Sequence, residues 1–124
     1  MKYAFVTSLL IFLSVFTAQG QATKEVLFIG NSYTGVNNLP LLVQNIAIDM
    51  GDVLVYDSNT PGGYRLMNHA THTTTLNKMN AQAWDYVVLQ AQSQETSWSN
   101  AQMQTELYPY AAALSNAIRA NNEC

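Results

Sequence analysis

Glu25-Val26-Leu27-Phe28-Ile29-Gly30-Asn31-Ser32 is the stretch on which the fold turns. Four large apolar side chains stand in a row, and the run stops at a glycine followed by two polar residues. A strand covered on both faces needs apolar residues at every position, so the pattern predicts a buried strand that ends at Gly30. Val53-Leu54-Val55-Tyr56 and Tyr86-Val87-Val88-Leu89 repeat the pattern. The first is closed by Asp57-Ser58-Asn59-Thr60-Pro61-Gly62-Gly63, the second by Gln90-Ala91-Gln92-Ser93.

Helical periodicity fills the intervals. Leu39, Leu42, Val43, Ile46 and Met50 recur at helical spacing, with Pro40 near the first turn and Gly51 just past the end, the usual start and stop residues. A short helix is expected from Tyr64 to about Ala70. The polar stretch from Thr71 to Asn80 has only Leu76 and Met79 as anchors and stays ambiguous. Ser99 with Gln102 resembles a capping box, and Met103, Leu107, Tyr110, Leu114 and Ile118 carry a helix to about Ala120. Pro109 lies inside that helix and must kink it or divide it in two.

The order is β-α-β-α-β-α. Strands that alternate with helices imply a parallel sheet with right-handed crossovers, and the active crevice of such sheets lies beyond the carboxyl ends of the strands. Gly30-Asn31-Ser32, Pro61-Gly62-Gly63 and Gln90-Ala91-Gln92-Ser93 all fall there. Three strands would leave an open apolar edge, and the pattern stops where a fourth strand should begin. The expectation is therefore an incomplete α/β fold.

The chain's beginning is of another kind. Met1-Lys2 is followed by an apolar run from Tyr3 to Thr17, then by Ala18 and Gly20 at the −3 and −1 positions for cleavage before Gln21. That order predicts a secretory signal peptide over residues 1–20. The run is shorter than the ~20 residues of a membrane span, so no membrane association is expected after cleavage. The product is placed outside the cytoplasm, secreted or periplasmic. Residues 21–124 form the expected domain, with four basic and eight acidic side chains. Without a basic stripe, nucleic acid is excluded as a partner. Cys124 is the only cysteine, so there is no internal disulfide framework.

Val26-Leu27-Phe28-Ile29-Gly30-Asn31-Ser32-Tyr33-Thr34 resembles the first sequence block of the SGNH (GDSL-like) hydrolases, in the bacterial branch that carries Gly-Asn-Ser. Pro61-Gly62-Gly63-Tyr64 is similar to their second block. Leu89-Gln90-Ala91-Gln92-Ser93 occupies the place of the third, with the family's usual Gly and Asn replaced. The resemblance runs from Thr23 to Cys124 in order and spacing, and only its first motif is strong. The family's last block, Asp-x-x-His, has no counterpart here. The resemblance thus implies the N-terminal part of a flavodoxin-like three-layer α/β/α fold, with about three of its usual five strands. It also implies an ester hydrolase that uses no metal or organic cofactor, acting on a small-molecule or carbohydrate ester.

On that basis Ser32 is the expected nucleophile, shown rigidly at the tip of a strand; the plainer reading is a serine that caps the turn after it. Negative charge that develops on an ester oxygen needs preorganised donors. Ser32 N–H, Gly63 N–H and a side-chain amide of Gln90 or Gln92 are the candidates. Gly62-Gly63 could equally serve only a tight turn, and both glutamines could be ordinary loop amides. His69 and His72 read as partly exposed residues on one helical face, since two histidines without a further ligand are a weak metal signal. Trp84, Trp98, Tyr33 and Tyr64 read as core or rim packing before sugar platforms, and Asp57 and Asp85 as turn residues. With no base in reach of Ser32, the 124-residue chain alone is expected to be inactive. The rival is a noncatalytic secreted module that binds a carbohydrate or a protein.

Overall fold

The computed structural model describes residues 23–121. The signal-peptide reading and Cys124 lie outside them. Strands β1 (Thr23–Ile29), β2 (Val53–Asn59) and β3 (Tyr86–Leu89) form one sheet in the order β2-β1-β3. Both pairings are parallel, with Thr23 opposite Val53 and Val26 opposite Tyr86. The helices are α1 (Ser32–Gly35), α2 (Leu39–Asp49), α3 (Leu66–His69), α4 (Thr73–Met79), α5 (Asn100–Glu106) and α6 (Tyr108–Asn121). This is the expected α/β class: an open, all-parallel, three-stranded sheet flanked by helices, an incomplete flavodoxin-like three-layer arrangement.

β1 is central, and Val26 to Ile29 are all buried. Successive side chains point to opposite faces. Leu27 and Ile29 enter the main core with Leu66, Met79, Trp84, Leu107 and Leu114, drawn from α3, α4 and α6 and their flanks. Phe28 lies on the other face, with its ring edge-on to Tyr56 at 6.2 Å. Trp84 is the core residue it was expected to be, and its indole N–H donates to the Lys78 carbonyl at 3.0 Å.

The flanking strands differ from the expectation of full burial. β2 has no buried residue, and in β3 Tyr86 is 60% and Val88 40% exposed. Both are edge strands among the described residues, and α2 lies on the β2 side of its face. Helix α2 is also turned from its expected orientation. Leu39, Leu42, Ile46 and Met50 are exposed, whereas Pro40 is buried and Val43, Gln44 and Ala47 are half-buried. The small or short side chains let the helix approach the sheet, and Gln44 Nε2 reaches the Leu54 carbonyl at 2.7 Å.

Several boundaries moved. β2 runs on through Asp57, Ser58 and Asn59, because the ladder continues to Ile29 opposite Asn59. The ambiguous stretch resolves as α4, with Met79 buried and Leu76 packed on the core. The long C-terminal helix is divided at Leu107, whose φ of −120° and ψ of −60° leave helical space. Pro109 is then the second residue of α6, where a missing N–H costs nothing. Ser99 Oγ accepts from Gln102 N–H at 3.3 Å, but the Gln102 side chain turns to Glu106, so only half of the capping box forms.

Candidate active site

The three strand-end loops meet at one rim. At the tip of β1, Gly30 N–H donates to the Asn59 carbonyl at 3.1 Å and so continues the ladder by one residue. A side chain at position 30 would place its Cβ 2.6 Å from Gln90 Oε1 and 2.9 Å from Thr34 Oγ1. Only glycine fits there. Asn31 then caps α1: its side-chain oxygen accepts from Tyr33 N–H at 3.0 Å. The capping task, read as the plain alternative for Ser32, therefore belongs to Asn31. Ser32 is half-buried at the start of α1, and its hydroxyl has no hydrogen-bond partner among the described residues.

Asn31 also ties the loops together, and it is 1% exposed. Its Nδ2 donates to the Tyr64 carbonyl in the β2 loop at 2.9 Å. Its backbone N–H donates to Gln90 Oε1 in the β3 loop at 2.9 Å, where Thr34 Oγ1 also donates at 3.1 Å. The circuit closes through Arg65 and Glu95. Arg65 Nε donates to Glu95 Oε1 at 2.8 Å, and Glu95 Oε2 accepts from Gln92 N–H at 2.8 Å. Glu95 is fully buried, and burial of a carboxylate is tolerated only when it is paired and hydrogen-bonded in this way. Arg65 also reaches Glu106 at 3.0 Å and lies over the Trp98 ring, 4.5 Å from its centroid. The carboxylates, Glu95 first, raise the Arg65 pKa further above its ordinary value.

No family model, curated protein or solved structure matches this chain. The chemistry of the site therefore rests on its own geometry.

That geometry separates the two glutamines. Gln90 has spent its amide: the oxygen serves Asn31 and Thr34, and Nε2 donates to the Ala91 carbonyl. Gln92 accepts from Gln94 N–H at 2.7 Å through its oxygen, and its amide nitrogen has no partner among the described residues. Gly63 stands at φ +73° in an exposed turn, where an added Cβ would meet nothing. Its glycine is thus accounted for by backbone conformation, as the turn reading held. An open groove of about 270 Å³ runs from Ser32 along Tyr33, Val36 and Asn37; neither Gly63 nor Gln92 lines it.

The histidines are not where the sequence suggested. His69 is fully buried at the end of α3, and His72 precedes α4 across a turn, so the two do not share a helical face. Both His69 ring nitrogens are engaged, Nε2 with the Gly30 carbonyl and Nδ1 with Thr75 Oγ1, each at 2.8 Å. Burial, the largest cause, lowers the His69 pKa, and the neighbouring His72 adds to this, against the hydrogen bond to Gly30. Among the described residues no cluster of three metal-ligating side chains occurs. Tyr64 packs edge-on against both imidazoles at 5.2 Å, and Tyr33 stands exposed beside Ser32. Asp57 lies within β2 and pairs with Lys78, while Asp85 holds Lys24 and the Glu25 N–H at the amino end of the sheet.

From the sequence, His69 was placed on an exposed helical face and Asn31 was given no role of its own within its loop, and two residues were missed, Arg65 and Glu95. A signal existed for the last two, since charged residues make up only 10% of the chain and these two flank the second and third loops.

Proposed function

We propose that the protein is a secreted or periplasmic serine ester hydrolase, with Ser32 as nucleophile and an acylated carbohydrate as substrate. The observation that carries this reading is the hydrogen-bonded set of three loops that holds Asn31, next to a serine whose hydroxyl has no bond of its own among the described residues. Preorganised surroundings with an uncommitted nucleophile are what acyl transfer requires.

Ser32 Oγ attacks the ester carbonyl carbon and loses its proton to a base. Charge on the carbonyl oxygen is met by the N–H groups of Ser32 and Gly63 and by the Gln92 amide. Each such donor contributes on the order of 3 kcal/mol. The carbon–oxygen bond to the sugar then breaks, the alcohol leaves with the base's proton, and water hydrolyses the acyl-serine. His69 is not the base, because its two nitrogens are held by Gly30 and Thr75. In this proposal a histidine, oriented by an aspartate, comes from a segment beyond residue 124, so the 124-residue chain shows little turnover.

The test is fluorophosphonate labelling. A longer form with a downstream Asp-x-x-His is expected to be labelled at Ser32, and Ser32→Ala to abolish the label. Enzyme-like turnover of p-nitrophenyl acetate by the 124-residue chain, lost in Ser32→Ala, would disprove the missing base. The absence of a base bonded to Ser32 among the described residues favours a second reading, a noncatalytic carbohydrate- or protein-binding module. A longer form that binds sugar but never labels would establish it.

A further inference from the structure

His69 is the one fully buried imidazole beneath the rim, and the proposed chemistry does not use it. Its surroundings determine where its proton sits. The Gly30 carbonyl can only accept, so His69 Nε2 carries the hydrogen in their 2.8 Å bond. In the neutral ring that burial favours, Nδ1 is then an acceptor, and the Thr75 hydroxyl donates to it at 2.8 Å. The Thr75 oxygen in turn accepts from Asn59 Nδ2 at 2.7 Å. His72 Nδ1 lies 3.1 Å from the same Asn59 nitrogen. His72 Nδ1 also lies 3.2 Å from Thr75 Oγ1, so the hydroxyl hydrogen is assigned to His69 Nδ1 as the nearer of its two imidazole acceptors. The network joins the tip of β1 to the end of β2, to α3 and to α4.

Gly30 is thereby gripped on three sides. Asn59 holds its N–H, His69 holds its carbonyl, and the Gln90 side chain fills the place of its missing Cβ. Asn31 and Ser32 follow directly. We propose that His69 is a positioning residue for Ser32: as the neutral Nε2–H tautomer it fixes the Gly30 peptide and so aims the serine turn. This deepens the hydrolase reading and rests on it for the purpose of the turn, though the tautomer and the grip do not.

A second proton on Nδ1 would oppose the Thr75 hydroxyl hydrogen, which would have to turn away, while Nε2 would go on donating to the Gly30 carbonyl. The ionisable groups that contact His69 are His72, between α3 and α4, and Tyr64, after β2. Lys78 of α4 and Asp57 of β2 are paired with each other at 2.5 Å.

Long-range nitrogen–proton correlation spectra of the labelled 124-residue chain near neutral pH test the tautomer. The expected result is a bare, accepting Nδ1 and a protonated Nε2; a protonated Nδ1, with either state of Nε2, overturns the proposal. Substitution tests the grip. His69→Gln, which keeps a donor near Nε2, should leave the Gly30, Asn31 and Ser32 amide signals near their native positions. His69→Leu should shift them and speed their hydrogen exchange by at least about tenfold. If His69→Leu does not fold, Thr75→Val keeps the imidazole but removes the hydroxyl that donates to Nδ1 and accepts from Asn59 Nδ2, and it should speed exchange of the Nε2 proton. Unchanged exchange in a folded His69→Leu or in Thr75→Val refutes the grip. None of these readouts depends on labelling of Ser32, so the failure of one reading is distinguishable from the failure of the other.

Discussion

Replacement of Gln90 by leucine tests whether the loops truly hang together. The two side chains are similar in size, so the space beside Gly30 stays filled. What is lost is the oxygen that accepts from Asn31 N–H and from the Thr34 hydroxyl. Both donors sit in residues no more than 2% exposed, out of reach of water. A buried donor left unsatisfied costs about 1–3 kcal/mol. The backbone N–H cannot move, whereas the hydroxyl can rotate, so the sum is roughly 2–4 kcal/mol. For a domain near this size each kcal/mol lowers Tm by about 4–8 °C, so the expected drop is on the order of 10–25 °C. Thermal denaturation followed by circular dichroism measures it. Gln92→Leu is the control: its oxygen serves only the exposed Gln94 N–H, and the cost should stay below about 1 kcal/mol. Equal losses in the two variants would refute the assignment of Gln90 as the anchor.

Gly30→Ala should destabilise by about 1–3 kcal/mol, since its Cβ meets the pinned Gln90 amide. The loss should shrink in a Gln90→Ala background, as a double-mutant cycle would show. Glu95→Ala should cost about 3 kcal/mol because it removes the buried carboxylate that accepts from Arg65 Nε and from Gln92 N–H. Glu106→Ala, at the 43% exposed partner, should cost under about 1 kcal/mol, and equal urea midpoints for the two would contradict the difference in burial. His69 has a depressed pKa in the folded chain, so the unfolded chain takes up a proton that the folded one refuses. Its contribution to stability is complete above about pH 6.5 and decays as the pH falls below that value. The wild type should therefore lose stability more steeply than His69→Gln between about pH 6.5 and 5, and parallel curves would show otherwise.

β1 was legible because its position makes it so: a central strand has two covered faces, and Val26 to Ile29 carry that fact as an unbroken apolar run. Edge strands do not announce themselves. Tyr86 and Val88 read as buried because an apolar run is silent about which neighbours will be present. Helix α2 shows the same blindness in another form. Periodicity found Leu39, Leu42, Val43, Ile46 and Met50, yet of these only Val43 is half-buried, beside Pro40, Gln44 and Ala47. At the site, the topology of parallel sheets was enough to place the three loops together. It could not separate Gln90 from Gln92, two positions apart, because the partners that separate them lie far off in sequence. Asn31 and Thr34 are 59 and 56 residues from Gln90. His69 was misread for the same reason, since its partner Gly30 is 39 residues away.

A middle strand that pairs with both neighbours also sets a timetable. Thr23 meets Val53 across 30 positions, and Val26 meets Tyr86 across 60. A chain emerging from the ribosome makes β1 first, but no ladder can close until β2 has been synthesised, and the second must wait for β3. Closure entropy rises only slowly with loop length, so the delay is one of arrival and not of energy. Until then, the most apolar segment among the described residues waits without a partner. Recruitment of chaperones to the nascent chain should therefore peak before residue 86 has left the exit tunnel.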